Sequence, residues 1–221
     1  MVAISGGTGL IGSALASRLQ ATGTGCILGS RQPPTQQALE MTWQKIDLAD
    51  GFGLGKFLSP ANQLVHLARN YQPLVDVGGS WRISYRAQQL NIEHMIFLGA
   101  TAGKTTGPWQ SPHLKEIGQI LRGSGVPLSL IHAAPTYQWL EQYLSKQKFL
   151  FSRGLLLQPL AIGQILSALE ESLSTGPLTK TRVLQGKEKL NLKVADKIFR
   201  HYQPYLQSNK QVIHAENWED Y

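Results

Sequence analysis

Three glycines at three-residue intervals form the clearest chemical signal in this chain. Gly6, Gly9 and Gly12 lie between an apolar run at 2–5 and a segment whose apolar residues recur at helical spacing. Such glycines permit a tight strand-to-helix turn, bring the helix close to the strand and let a pyrophosphate approach the backbone. The free amides and positive dipole end of the helix would bind the phosphates. The spacing predicts a dinucleotide site, with a plain structural turn as the alternative; the other candidate residues are Thr8, Leu10 and Ile11.

The residues after the second apolar run, 26–28, indicate which dinucleotide would fit. An acidic residue at this place binds the ribose 2′-hydroxyl and repels a 2′-phosphate. The chain instead has Gly29, Ser30 and Arg31. The guanidinium of Arg31 suits a phosphate, and the hydroxyl of Ser30 is a further donor. These residues favour NADP over NAD, with a solvated loop arginine as the alternative for Arg31.

Small and polar residues follow the fourth apolar run, 63–67. Leu67 ends that run, Ala68 would leave room for the cofactor backbone, and Arg69 places a charge beside it. Ligands of open α/β sheets bind at the carboxyl ends of the strands. We therefore add these three residues to the predicted cofactor site.

Apolar runs alternate with helix-length segments along most of the chain. Runs that are apolar throughout are typical of parallel strands buried on both faces. The predicted fold class is α/β, a doubly wound parallel Rossmann sheet with helices on both faces and a small C-terminal cap. The expected strands are 2–5, 26–28, 41–46, 63–67, 95–98 and 128–131, and the expected helices begin near residues 10, 80 and 112.

The alternation loosens after the sixth run. Segments 160–173 and 192–202 have helical spacing, and 182–184 is a candidate short strand between them. We therefore predict a Rossmann core over residues 1–135 and, within the same domain, a small cap with terminal helices over 136–221.

Composition sets limits on function. The chain has 221 residues, 42% of them apolar, and a net charge of +7. No apolar stretch approaches the roughly 20 residues that span a bilayer. The single cysteine, Cys26, cannot form an internal disulfide and favours a reducing, cytoplasmic setting. The six histidines lack metal-ligand spacing, so no metal site is expected.

A basic stretch at 180–200 raises the question of nucleic-acid binding. Basic residues recur along it at helical spacing, but aromatic residues are not interleaved with them and no known nucleic-acid motif is present. A solvated helix face is the favoured interpretation of such a pattern.

Five segments follow one another in an order that is typical of one superfamily. They are VAISGGTGLIG at 2–12, LVHLA at 64–68, VDVGGS with Asp76, Gly79 and Ser80 in place of N-x-x-G-T at the start of a helix, NIEHMIFLGAT at 91–101, and the helix and strand at 115–131. These segments resemble the short-chain dehydrogenase/reductase superfamily, in its extended and atypical branches that include epimerase-like and NmrA-like proteins. The resemblance spans about residues 1–135 and implies a Rossmann fold that binds NAD(P).

The same resemblance implies roles for individual residues. In the family a Tyr four residues before a Lys exchanges a proton with the substrate, while the Lys lowers the pKa of the Tyr and binds ribose. Lys115 stands at the Lys position, but Ser111 stands where the Tyr is expected. Thr101 is the candidate for the family's Ser or Thr. Asp47 matches the adenine-contacting acid, with a turn or cap aspartate as an equal alternative.

Other side chains have weaker claims. His113 is a candidate proton donor and His132 a candidate pocket residue, although a solvated histidine and a structural histidine are the favoured interpretations. The aromatic residues that are candidates for stacking on a ring substrate, or for ordinary packing, are Trp81, Trp109, Tyr137 and Trp139.

Three functions are compatible with these residues. The favoured one is an NADP(H)-binding oxidoreductase that passes hydride to a small conjugated acceptor, such as a quinone, a flavin or a carbonyl compound. A quinone or flavin can take its second proton from water, so the missing Tyr matters less. The alternatives are a non-catalytic NADP-binding redox sensor of NmrA-like type and an NAD(P)-dependent epimerase/dehydratase-like enzyme. The expected partner is a small molecule, not nucleic acid or a membrane, and the oligomeric state is left open.

Overall fold

The computed structural model describes residues 1–34, 41–70, 72–100, 113–140, 156–187 and 189–191. The strands within them are β1 (Val2–Ser5), β2 (Cys26–Ser30), β3 (Thr42–Lys45), β4 (Gln63–His66), β5 (His94–Ala100), β6 (Leu128–Ala133), β7 (Leu156–Leu157), β8 (Arg182–Leu184) and β9 (Leu190–Asn191). The helices are α1 (Leu10–Ala21), α2 (Leu54–Leu58), α3 (Pro73–Gln89), α4 (Leu114–Gly123) and α5 (Ile162–Thr175).

Seven of these strands form one parallel sheet in the order β3-β2-β1-β4-β5-β6-β8. The first six follow the Rossmann order, in which the chain starts in the middle, winds to one edge, returns and winds to the other. The order reverses between β1 and β4, and ligands of such sheets bind in the crevice beside that reversal. The predicted doubly wound parallel sheet is confirmed.

Alternate side chains of the strands pack into two separate cores. On one face Ala3, Leu64 and Phe97 pack with residues of α2, α3 and α4. On the other face Ile4 and Val65 pack with residues of α1 and α5. Every residue of β1 and β5 is buried. Burial on both faces explains why these strands are mostly apolar instead of alternating apolar and polar residues, with Ser5 and His94 as buried polar exceptions.

Helix α3 differs most from its predicted extent. The expected start near Ser80 was too late, because the helix begins at Pro73. Proline suits the first helical turn, since it has no amide to leave unpaired. Position 79 within the helix requires glycine, because a Cβ there would lie only 2.7 Å from the Leu48 Cβ. The segment that resembles N-x-x-G-T begins in the first turn of the helix with Asp76, and Gly79 and Ser80 follow in the next turn.

The described part of the C-terminal region is built onto the sheet. Strand β8 pairs with β6, and α5 packs against α1 and β5. Strands β7 and β9, which the sequence pattern does not predict, form a separate antiparallel pair. The predicted domain boundary at residue 135 stays a prediction, and the predicted helix at 192–202 lies outside the described residues. No helix in the described part of the chain is long and apolar enough to cross a membrane.

The basic stretch at 180–200 is described only over its first half. There Arg182 Nη1 lies 2.7 Å from Glu171 Oε2 of α5, so one positive charge of the basic stretch is compensated within the protein. The residues 192–200 lie outside the described part of the chain, and nucleic-acid binding by this stretch stays untested.

Candidate functional site

A groove runs along the carboxyl ends of the central strands. It consists of two adjoining hollows, which share Gly6, Gly9, Leu67 and Arg69 in their walls. The hollow on the side of β5 and β6, here the β6-side hollow, has a volume of about 200 Å³. The hollow on the side of β2 and β3, here the β2-side hollow, has a volume of about 370 Å³. The groove therefore lies at the reversal of strand order, where the fold predicts a ligand.

The glycine-rich turn lies at the centre of this groove. Gly6 has a φ of +73°, and a Cβ at this position would lie 2.8 Å from the amide nitrogen of Ala68. A Cβ on Gly12 would overlap the Gly6 carbonyl oxygen and lie 2.7 Å from the Gly7 Cα. A Cβ on Gly9 has only one near neighbour, the Gly6 carbonyl oxygen at 3.3 Å. Gly6 and Gly12 are thus required by the protein itself, whereas Gly9 leaves space in the groove.

The first turn of α1 faces the groove with unsatisfied amides. Gly9 is the N-cap residue and provides no side-chain hydrogen bond, and the first turn of the helix contains no acidic residue. Ser13 makes the first amide bond back to the Gly9 carbonyl, at 2.9 Å. The amides before it have no partner within the helix, and the positive end of the helix dipole lies beside them. This arrangement fits a pyrophosphate.

Arg31 lies at the outer end of the β2-side hollow. Its side chain is exposed, and Ser30 and Gln32 line the hollow beside it. The Ser30 hydroxyl donates to the Gln32 carbonyl at 2.5 Å and accepts from Trp43 Nε1 at 2.9 Å. Because a serine has one hydroxyl proton, Ser30 is already engaged within the protein. Arg31 is therefore the better placed of the two predicted residues to bind a phosphate.

Asp47 forms a turn and also borders the groove. Its carboxylate accepts from the amide of Ala49 at 2.9 Å, which forms a turn after β3. The same residue lines the β2-side hollow. The turn aspartate is thus present, and a contact of Asp47 with adenine stays a prediction.

The β6-side hollow is mostly apolar. Trp139 and Thr136 form part of its wall, and the Thr136 Oγ1 accepts from the Trp139 amide at 3.0 Å. Sequence reasoning could have found this wall from its place at the carboxyl ends of β5 and β6. Of the aromatic residues predicted to stack on a substrate, Trp139 is the one that lines this hollow among the described residues. The other lining residues from this side of the sheet are Leu98, Gly99, Ala100, Ala133, Ala134, Pro135 and Ile165.

Most residues predicted to bind the cofactor line the groove. Lys115 does not: it lies in the first turn of α4 with an exposed side chain, outside the walls of both hollows. Thr101 and Ser111, the other predicted catalytic residues, lie outside the described residues, as does Trp109. The predicted residues that line the groove are Gly6, Thr8, Gly9, Leu10, Ile11, Gly12, Ser30, Arg31, Asp47, Leu67, Ala68 and Arg69.

The two histidines considered as site residues lie outside the walls of the groove. His113 Nδ1 lies 3.7 Å from Glu116 Oε2, in the first turn of α4. His132 is partly buried in β6, and burial, followed by the charge of Arg122, lowers the pKa of His132. No three His, Cys, Asp or Glu side chains in the described part of the chain converge to form a metal site.

The strand order and the glycine turn define a Rossmann-type dinucleotide-binding fold. Residues 2–112 match the model of the NAD dependent epimerase/dehydratase family. This chain therefore belongs to that family. No curated protein sequence matches it.

Solved structures of low sequence identity share the fold. The enzyme WbmG of Bordetella bronchiseptica in complex with NAD has a TM-score of 0.71 at 17% identity, covering 91% of this chain and 77% of WbmG. A nucleoside-diphosphate-sugar epimerase from Staphylococcus aureus has a TM-score of 0.74 at 18% identity, covering 92% and 77%. The UDP-glucose 4-epimerase of Thermotoga maritima with UDP-glucose has a TM-score of 0.72 at 13% identity, covering 92% and 82%.

Proposed function

We propose that this protein binds NADP(H) along the groove and acts as an oxidoreductase on a small conjugated acceptor. The observation that carries the proposal is the placement of three features in one groove. Arg31 lies at one end, the amides of α1 lie in the middle, and an apolar hollow lies at the other end. Structures with the same fold contain NAD, which supports a dinucleotide in this groove.

Each part of the cofactor has a matching part of the groove. Arg31 would hold the 2′-phosphate of the adenosine ribose, because no carboxylate occupies the end of β2 to repel it. The turn at Gly6 and Gly9 would hold the pyrophosphate, since a Cβ is missing where the phosphates approach. The β6-side hollow, with Leu98 and Trp139 in its wall, would enclose the nicotinamide and the acceptor.

The residues of the β6-side hollow favour a conjugated acceptor. Bound NADPH supplies a hydride, and a quinone or flavin that accepts it completes its reduction with a proton from water. Among the described residues, Arg69 is the one titratable side chain that lines this hollow, and a guanidinium does not donate protons near neutral pH. The chain's part would be to orient a flat apolar molecule and to exclude water from one side of it.

Two other functions have specific support. Family membership favours an epimerase/dehydratase-like reaction on a small molecule, for which the missing Tyr at position 111 would need a substitute. The exposed Lys115, outside the groove, favours a non-catalytic NADP-binding redox sensor. Turnover separates the sensor from the two enzymes, and the substrate class separates the enzymes from each other.

Calorimetric titration with NADPH and NADH tests the cofactor. We expect the wild type to bind NADPH more tightly, and Arg31→Ala to lose about tenfold in NADPH affinity with little change for NADH, as a lost charge-assisted hydrogen bond predicts. Arg86→Ala, an exposed arginine in the last turn of α3, is the matched control and should leave both affinities unchanged. Equal affinities for the two cofactors in the wild type would refute the NADP assignment.

An assay of NADPH oxidation tests the reaction. Quinones, flavins and carbonyl compounds are offered in turn, and oxidation is followed by absorbance. Oxidation with quinones or flavins supports the proposal. Binding of NADPH without oxidation of any acceptor would favour the sensor, and turnover of a nucleotide sugar would favour the epimerase-like enzyme.

A further inference from the structure

A buried histidine lies directly beneath the glycine-rich turn. His66 is the last residue of β4 and is 1% exposed, and the three residues that follow it line the groove. Its ring lies 5.6 Å from the Phe97 ring, centroid to centroid. Although the groove begins immediately after it, His66 itself does not line either hollow.

The hydrogen bonds of His66 follow from counting protons. Ser80 donates its one hydroxyl proton to the Asp76 carbonyl, so Ser80 Oγ accepts from His66 Nε2 at 3.2 Å. His66 Nδ1 then has no proton and accepts from Ser5 Oγ at 2.6 Å. Burial, followed by the charge of Arg69, lowers the pKa of His66 to about 4, so the imidazole is neutral near pH 7.

These bonds join three segments that shape the groove. Ser5 is the residue before Gly6, and its carbonyl accepts from the Leu67 amide at 3.0 Å. Gly6 is packed against the backbone of Ala68, with no room for a side chain. His66 thereby fixes the spacing between the turn and the segment after β4, and Ser80 links both to α3.

The first turn of α3, one turn before Ser80, continues this connection. The Asp76 carboxylate, 1% exposed, accepts from the Asn70 amide at 2.9 Å. Asn70 lines the β2-side hollow. The segment 67–70 is thus held at its start by His66 and at its end by Asp76.

We infer that His66 is a positioning residue for the dinucleotide site, acting through Ser5 on the glycine-rich turn and through Ser80 on α3. The inference rests on the proposed cofactor function. It distinguishes His66 from Arg31, because His66 acts on the part of the groove that NADPH and NADH share. Loss of His66 should weaken the binding of NADPH and NADH equally, whereas loss of Arg31 should change the ratio of the two affinities.

Three variants test this role by calorimetric titration with NADPH and NADH. His66→Leu replaces the imidazole by an apolar side chain and removes both hydrogen bonds, and we expect about tenfold weaker binding of both cofactors. His66→Asn should lose less, because its side-chain oxygen occupies a place like that of Nδ1 and can accept from Ser5. Ser5→Ala should also weaken binding, and combining it with His66→Leu should add little, since both variants remove the hydrogen bond between Ser5 and His66.

His94→Asn is the matched control. It alters another buried histidine bonded to a serine, at the opposite end of the sheet. Thermal unfolding of each variant shows whether affinity changes at comparable stability. Unchanged affinity in folded His66→Leu, or in Ser5→Ala if His66→Leu does not fold, would overturn the inference. An equal loss in His94→Asn would reduce it to a general effect of stability. A wild type that binds neither cofactor would instead defeat the proposed function.

Discussion

The two ends of the parallel sheet each bury a histidine bonded to serines, but the two networks join different parts of the molecule. At the carboxyl end both nitrogens of His66 are bonded, to Ser5 and to Ser80. At the amino end His94 Nε2 is bonded to Ser129 Oγ at 2.8 Å. His94 Nδ1 has no hydrogen-bond partner among the described residues.

The two imidazoles carry their proton on opposite nitrogens. Ser129 Oγ accepts from Ser172 Oγ at 2.9 Å and from the Leu178 amide at 3.0 Å, so its own proton goes to His94 Nε2. His94 is therefore protonated on Nδ1, whereas His66 is protonated on Nε2. The amino-end network fastens α5 and the segment after it to β6. The carboxyl-end network fastens the turn that would receive a cofactor.

Under the proposed function, buried histidine–serine hydrogen bonds would serve stability at the amino end of the sheet and ligand geometry at the carboxyl end. Changes at the amino end should lower the free energy of unfolding and leave cofactor affinity intact. Changes at the carboxyl end should affect affinity, either alone or together with stability.

The largest effect is expected from Gly12→Ala. Its Cβ would overlap the backbone of the turn, so α1 has to move, and overpacking of this kind costs roughly 3 kcal/mol. We expect NADPH binding to be lost as well, because the amides of α1 move with the helix. Chemical denaturation and calorimetry measure the two effects.

Two other glycines serve as controls for Gly12→Ala. Gly163, in the first turn of α5, has no atom within 4 Å of the place that a Cβ would occupy, so Gly163→Ala should be neutral or stabilising. Gly9→Ala should retain most of the stability but lose affinity. A Gly9→Ala variant that binds NADPH as tightly as the wild type would contradict the placement of the pyrophosphate.

Acid should weaken the carboxyl-end network through His66. Its pKa in the folded protein, about 4, lies below the ordinary value near 6.5, so the unfolded chain takes up a proton first as the pH falls. The contribution of neutral His66 to the free energy of unfolding is complete above pH 6.5. It is lost as the pH falls toward 4, at roughly 1.4 kcal/mol per pH unit and about 3 kcal/mol in total.

The contribution of His66 to the pH dependence of stability is obtained as the difference between the wild type and a variant that lacks this histidine. Burial also lowers the pKa of His94 and, with Arg122, that of His132, so the wild type loses stability through all three. Denaturation curves at several pH values for the wild type and His66→Asn should diverge between pH 4 and 6.5. Parallel curves would show that His66 titrates normally in the folded protein.

A smaller effect on stability is expected from Ser129→Ala. The substitution leaves the Ser172 hydroxyl and the Leu178 amide without their acceptor, which should cost about 2 kcal/mol. NADPH affinity should change by less than about twofold, as expected for a site at the far end of the sheet. Ser84→Ala, on α3, is the matched control, because its hydroxyl donates only to a carbonyl of its own helix. A large loss of affinity in Ser129→Ala would break the comparison.

The sequence predicts the local features of this molecule well. The apolar runs mark the strands of the Rossmann order, and the glycine spacing marks the turn, because both depend on residues close together in the chain. The start of α3 is missed because the glycines before Ser80 resemble a helix break, whereas the need for glycine at position 79 depends on Leu48, which is far away in sequence.

The positioning network is harder to predict for the same reason. Ser5 and His66 are 61 residues apart, and His94 and Ser129 are 35 apart. Only the parallel register that sets Ser5 beside His66 brings the first pair together. The family resemblance likewise implies that Lys115 binds ribose, but its side chain is exposed in the first turn of α4 and lies outside the walls of the groove.

Amide hydrogen exchange with and without NADPH tests the central claim most directly, because it reports on both ends of the sheet in one experiment. We predict that NADPH protects segments 6–12, 29–32 and 67–70 and leaves 172–178 unchanged. Unchanged exchange throughout, or protection confined to the amino end, would contradict a dinucleotide site at the carboxyl ends of the strands.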